Sequence, residues 1–353
     1  MRKLDNYISR TVIASTFMVL LVIIALLAIA DLVDELSQIE GDYNFIEVLF
    51  YVGLQLPSSI YAQLPFASLV GSLIGLGMLA SSSELVVMRA AGVSVGRISW
   101  AVMKPALVVI LMGILLGEYV TPLTDQIAES RKAILVGDKQ ALESRHGLWN
   151  RDGNEYMHFN AVLPNGKLYG VTRYQFDQEG RLKSSSFSES AIYQGGFWLE
   201  ENGRETHFTE EDVSLSEFYQ RRWETELSPN LLNVLVLNPD ALSVYSLYRY
   251  SNYLAQQGLE NKEYRLSFWK KLMQPLATAS LVLIAISFVF GPLREVTMGF
   301  RIFTGVIVGI VFQTSQDLLG PSSLVFGFSP LLGVSLPLLV CFVIGIVLLK
   351  RAN

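Results

Sequence analysis

Cysteine is almost absent from this chain of 353 residues: Cys341 is the single one, and it lies inside the last apolar run. That excludes an intrachain disulfide framework and a Cys-based metal site. The three histidines, His146, His158 and His207, all fall in a polar middle stretch, which excludes a His-based zinc site within the apolar parts. Charge is scarce as well, 17% of residues where soluble chains average about 25%. No G-x-x-x-x-G-K-[ST] occurs, so the chain has no phosphate cradle of that kind. H-E-x-x-H and G-x-S-x-G are missing too, which argues against metalloprotease and hydrolase chemistry. The charge that is present is unevenly divided. Residues 122–266 hold 15 Lys and Arg against 21 Asp and Glu, leaving 12 against 11 elsewhere. A mildly acidic polar region is a poor partner for nucleic acid.

What the chain has in abundance is apolar sequence, 51% of residues, in two blocks that enclose the polar middle. About 20 apolar residues match the ~30 Å hydrocarbon layer of a bilayer. The first span is expected at 11–33; Ala28-Ile29-Ala30 resembles a signal-peptidase site, but the run exceeds a signal peptide's ~7–15-residue core, so it reads as retained. The stretch 45–80 is too long for one crossing, about 54 Å as a single helix. Pro57 and Pro65 are expected to break it into an interfacial helix and a second span at 62–80. The remaining spans are expected at 98–120, 269–290, 300–319 and 330–349, a six-span, 3+3 membrane α-helical architecture. The domains are then 1–121, an inserted polar domain 122–265, and 266–353.

Lys and Arg concentrate on cytoplasmic flanks. With both termini inside, those flanks hold Arg2, Lys3, Arg10, Arg89, Arg97, Lys104, Arg294, Arg301, Lys350 and Arg351. The short segment after the first span carries Asp31, Asp34, Glu35, Glu40, Asp42 and Glu47 and no base. The polar domain is therefore expected outside, in the periplasm if the cell has one; Lys270 and Lys271 are exceptions at the outer end of span four. Turn pairs at Asp152-Gly153, Asn165-Gly166, Glu179-Gly180, Gly195-Gly196 and Asn202-Gly203 separate strand-like runs at 156–162, 168–176, 185–193 and 197–199. That pattern predicts an antiparallel sandwich or roll, followed by a helix over 241–257 ending near Gly258. His158 reads as a strand-face residue and Glu210-Glu211-Asp212 as a solvated loop; no catalytic constellation is present.

The inner loop Ser81-Ser82-Ser83-Glu84-Leu85-Val86-Val87-Met88-Arg89-Ala90-Ala91-Gly92 predicts a two-turn helix with a serine N-cap, an acid in its first turn and a glycine stop. Leu85, Val87 and Met88 are available for burial. An interfacial linker and a docking helix for a soluble partner both fit. A tight inner turn is expected at Phe290-Gly291-Pro292-Leu293-Arg294 with Met298-Gly299. Gly71/Gly75, Gly113/Gly117 and Gly305/Gly309 are each four apart, the interval for close helix packing. Glu118 and Asp317 sit near outer span ends, where a structural or capping role is expected.

The stretch Ser83 to Met88 with Gly92, together with Gly147-Leu148-Trp149, Asp152-Gly153-Asn154, Pro239-Asp240-Ala241-Leu242-Ser243, residues 269–275 and Phe290 to Arg294, resembles the LptF/LptG family of lipopolysaccharide export permeases. The resemblance spans essentially the whole chain, and the stretches 147–154 and 269–275 resemble the LptG branch more than LptF. It implies a membrane α-helical fold with a periplasmic β-jellyroll-like domain. It further implies a cavity shared with a paralogous permease subunit (LptF), two copies of a cytoplasmic ABC ATPase (LptB) that bind ATP and Mg, and a single-span LptC. The cargo, lipopolysaccharide, is drawn from the inner membrane and passed towards the outer membrane. By the same resemblance Ser83, Glu84, Leu85, Val87, Met88 and Arg89 form the coupling helix, with Glu84 meeting a base of the ATPase. Lys271 matches a basic position suited to a lipid A phosphate, while Phe66, Leu69, Phe303 and Phe312 are apolar wall candidates. Relatives often carry Lys near the outer end of span one, where this chain has Asp31, Asp34 and Glu35. Two other readings are a non-transporting receptor or scaffold with a ligand-binding β domain, and a secondary transporter working through Glu118 and Asp317.

Overall fold

The computed structural model describes residues 2–39, 43–136, 148–162, 167–209, 212–225, 227, 229, 232, 238–256, 261–291 and 296–352. Glu40, Asp42, Gly147, Asn165, Gly166, Glu210, Glu211, Gly258 and Pro292 to Arg294 lie outside them. Helices α1 (Arg2–Leu36), α2 (Phe45–Ser81), α3 (Glu84–Ala90) and α4 (Val95–Leu115) lead into a π-helical turn (Leu116–Val120) and α5 (Thr121–Val136). Six strands follow: β1 (Leu148–Asp152), β2 (Glu155–Val162), β3 (Lys167–Phe176), β4 (Leu182–Tyr193), β5 (Trp198–Phe208) and β6 (Val213–Trp223). A 3-10 turn (Pro239–Ala241) leads to α6 (Val244–Gln256), α7 (Lys262–Phe290), α8 (Met298–Phe326) and α9 (Pro330–Ala352). Six of these segments are long and apolar enough to cross a membrane.

Two compact units result: residues 1–30, 56–121 and 243–353 in the first, 31–55 and 122–242 in the second. The linear division read from the sequence differs at two places. Residues 31–55 join the β-bearing unit, and α6 joins the helical one, where Glu118 accepts the Val244 and Tyr245 amides at 2.8 and 3.3 Å. Glu118 is thus a helix N-cap supplied from another element.

Pro57 and Pro65 do not split the second apolar stretch: α2 runs unbroken through both. Proline removes one amide donor and orphans the carbonyl four residues before it, which in a bilayer must find another partner. For Pro65 that carbonyl is Tyr61, and the Gln274 amide of α7 donates to it at 2.8 Å. Pro105 inside α4 is handled the same way, with the Ser9 hydroxyl of α1 donating to the Ala101 carbonyl at 2.7 Å. The π-helical turn likewise loosens the backbone ladder, and Lys271 of α7 donates to the Gly117 carbonyl at 3.3 Å.

The glycine pairs act as packing surfaces. A Cβ at Gly71 or Gly75 would run into the α1 backbone at Thr16 and Val12; at Gly113 it would meet Leu64, and at Gly117 the Tyr61 ring. At Gly305 and Gly309 it would strike Leu73 and the Phe66 ring of α2. Close approach of this kind supplies the dispersion contact that holds helices together where lipid removes the hydrophobic drive. The core so formed includes Ile8, Val12, Leu69, Leu73, Leu76, Leu85, Met88, Leu281, Ile286 and Phe312.

The inserted β domain is antiparallel, as expected, and its six strands pair in sequence order β1 to β6. Strands β1 and β6 were not foreseen. β5 also runs far past residue 199, because Asn202-Gly203 is not a hairpin turn: Asn202 has φ 51° within the strand, and Gly203 pairs with Phe218 of β6. The buried residues include an apolar set, Met157, Phe159, Val171, Trp198 and Trp223. Polar groups lie beside them, with Ser188 opposite Val171. Ser184, Ser186, Ser188 and Ser190 are buried at alternate positions of β4. Glu200, fully buried, accepts from Arg221 at 2.8 Å and Ser188 at 3.2 Å, with Arg173 3.6 Å away. Burial pushes the Glu155 carboxyl above its ordinary range, against the pull of Arg173 at 3.3 Å.

Gln274→Leu strips the Tyr61 carbonyl of its donor and is expected to cost about 1–2 kcal/mol, seen as a lower thermal midpoint in detergent. Adding Pro65→Ala restores the helical amide and is expected to recover most of that loss. A double mutant no more stable than Gln274→Leu alone refutes the pairing.

Candidate functional site: the loop helix and its supports

Helix α3 is seven residues long and its two faces differ. Leu85 and Met88 are buried in the helical core, whereas Val86 and Val87 are 58% and 66% exposed. Val87 was grouped with the burial positions; the helical period instead turns it outward beside Val86, Arg89 and Ser83. The glycine stop is as expected, with Gly92 at φ 84° and the Val93 amide closing on the Met88 carbonyl at 3.1 Å. The serine cap is not. Ser83 sits in the left-handed region at φ 62° and its side chain caps nothing, since side-chain capping needs an extended backbone at that position.

Serine serves Glu84 instead. The Ser82 hydroxyl donates to the Glu84 carboxylate at 2.8 Å, and the Tyr7 phenol of α1 lies against the same carboxylate. Glu84 is half-buried at the first position of the helix. Nearby, Asp5 pairs with Arg97 at 3.3 Å and Lys104 at 3.6 Å, tying the start of α1 to α4. Arg301 of α8, also buried, donates to the Gly77 carbonyl near the end of α2 at 3.1 Å. The helix thus rests on anchored neighbours, with a half-buried acid at its start and two valines facing out.

These observations fit the sequence comparisons. The family model for the lipopolysaccharide export system permeases LptF/LptG matches residues 6–351. The chain belongs to the LptF/LptG family. Lipopolysaccharide export system permease protein LptG of Escherichia coli strain K12 is 36% identical over 354 residues, covering 99% of this chain and 98% of its own. The protein of that name from Haemophilus influenzae is 33% identical over 351 residues, with the same coverage. In this family member the remaining expected site residues are spread apart. Leu69 and Phe312 are buried in the core, Phe66 lies over Gly309, and Phe303 is 60% exposed. Of the four wall candidates, Phe303 presents the most surface.

Lys271 is turned inward. It is 6% exposed, bonded to the Gly117 carbonyl, with its ammonium 5.3 Å from the Tyr61 ring centre. The cavity beside it, lined by Tyr61, Gly117, Glu118 and Gln274, has about 50 Å³, room for water but not for a phosphorylated sugar. In the second unit the acidic C-terminal end of α1 has an internal answer. Lys132 of α5 pairs with Glu35 at 2.5 Å, and Tyr43 donates to the same carboxylate at 2.8 Å. Arg131 pairs with Glu47. Sequence alone gave no sign of Tyr7 or Lys132, which meet their partners through folding, whereas Ser82 stood in the loop motif with a different role; Gln274, a lone amide in an apolar run, is the signal that marks the Tyr61 contact.

Leu85→Ala is expected to destabilise the detergent-solubilised protein by about 2–4 kcal/mol. Val87→Ser is expected to stay within about 0.5 kcal/mol. Equal losses in thermal scans contradict the two-faced helix.

Proposed function

We propose that this chain is a transmembrane permease subunit of a lipopolysaccharide exporter in the bacterial inner membrane, energised by a separate ABC ATPase. The observation that carries the reading is α3: a short, two-faced helix with a half-exposed acid at its start and outward valines, in a chain matched over its length by the LptF/LptG family. Extracting a multi-acyl lipid forfeits ~0.8 kcal/mol for each CH₂ moved out of hydrocarbon, and the chain has no nucleotide motif to drive that. The energy then comes from a partner. In this reading the partner is a cytoplasmic ATPase dimer of the LptB type, which holds ATP and Mg, and α3 is its coupling helix. Glu84 meets a base of the ATPase, while Ser83, Val87 and Arg89 complete the contact and Leu85 and Met88 pass force into the core.

A paralogous LptF-type subunit shares the lipid cavity, where Phe303 and Phe66 face acyl chains; a single-span LptC receives the cargo. Both termini lie in the cytoplasm and the β domain in the periplasm, which the distribution of bases supports. Contact between Lys271 and a lipid A phosphate belongs to a second state, in which its ammonium leaves the Gly117 carbonyl.

Glu84→Lys is expected to lower lipopolysaccharide release from proteoliposomes at least tenfold while the protein still inserts. A cysteine at position 83 is expected to react with an impermeant maleimide in inverted vesicles and not in intact spheroplasts. Labelling from the outside overturns the orientation, and full transport in Glu84→Lys overturns the coupling role.

A further inference from the structure

The permease reading gives the sequence stretches Gly147 to Trp149 and Asp152 to Asn154 no role, and two of their side chains, Trp149 and Asn154, border one cleft. Trp149, Asn154, Tyr156, Tyr174, Phe176 and Gln178 line a half-open space of about 590 Å³ at the β1 end of the sheet, within the ~300–1,000 Å³ of small-ligand sites. Trp149 is 60% exposed. Its ring is nearly parallel to Tyr174, 16° between planes with centroids 6.1 Å apart, and is backed by His158 at 5.0 Å. Tyr156 and Phe176 meet edge to face at 5.4 Å. The cleft therefore offers flat, rigid aromatic faces in a setting that burial elsewhere in the sheet does not require.

Its polar groups are of one kind. Asn154 and Gln178 present amides and Tyr174 a phenol, which give and accept neutral hydrogen bonds. Asp177, the one carboxylate on the rim, is already engaged by the Glu179 and Arg181 amides at 3.0 and 2.8 Å and by the Arg181 guanidinium at 2.8 Å. Burial pushes the His158 imidazole down, so it is neutral near pH 7. An ionic ligand finds no open counter-charge here among the described residues. A pyranose ring has the matching chemistry: C–H faces that carry partial positive charge against the negative aromatic face, and equatorial hydroxyls at its rim for the amides.

We propose that this cleft is a saccharide subsite that takes a neutral pyranose ring of the cargo's oligosaccharide, with Trp149 as platform and Gln178 and Asn154 as hydroxyl partners. The identity of the cargo rests on the permease reading above; the cleft's chemistry does not.

The test uses the full chain in a detergent without a sugar headgroup. Saturation-transfer NMR is recorded with the oligosaccharide released from lipopolysaccharide by mild acid. Transfer to ring C–H protons is expected at millimolar concentration. Trp149→Ala is expected to weaken it at least fivefold, Gln178→Ala at least twofold, and Trp149→Phe, which keeps a flat face, less than twofold. Absence of transfer, or transfer unchanged in Trp149→Ala, overturns the proposal. So does a photo-crosslinker at position 149 that traps a protein in cells when the oligosaccharide fails to displace it, an outcome that assigns the face to an added strand. None of these outcomes alters the Glu84 measurements, so the two readings fail separately.

Discussion

A backbone carbonyl that loses its helical partner inside a bilayer has no water to turn to, and this constraint organises the helical unit. Pro65 and Pro105 each orphan one carbonyl, Tyr61 and Ala101, and a side chain from a distant helix supplies the missing donor. Lys271 serves Gly117 in the π-helical turn. The donors come from α1 and α7, so the irregularities that would weaken single helices become specific links between helices. The same glycines that let backbones approach bring these donors within reach, as Gly117 does under the Tyr61 ring.

The loop helix depends on that frame. Seven residues are too few to hold a helix in water, and α3 persists because Leu85 and Met88 are built into the core with Ile8 and Val12. Its acid is steadied by Ser82 and Tyr7, which gives Glu84 a defined position. One face of the helix is thereby fixed in the core while the other, with Val86 and Val87, stays exposed.

The second unit spends its interior differently. Buried serines of β4 and the Glu200–Arg221–Arg173 cluster sit among the apolar side chains of the sheet. Breaking one partner of such a set strands the other in low dielectric, and the Trp198–Trp223 contact adds an apolar pairing between β5 and β6. Where the first span ends in acids instead of bases, Lys132 and Tyr43 meet Glu35 from within the same unit. That end of α1 is therefore an internal joint.

Sequence by itself determined what depends on composition and period: six apolar segments, an inserted antiparallel domain, the stop at Gly92, the four-residue glycine spacing. Transfer free energy and backbone sterics act on each segment locally, so they are legible one segment at a time. The tertiary structure decided the rest. It kept α2 whole through Pro65, because the compensating donor lies more than 200 residues away in α7. It carried β5 through Asn202-Gly203, because β6 was present to pair with it. It also turned Lys271 inward and Val87 outward, since the direction of a side chain is set by what packs against its helix, and no local pattern encodes the neighbour.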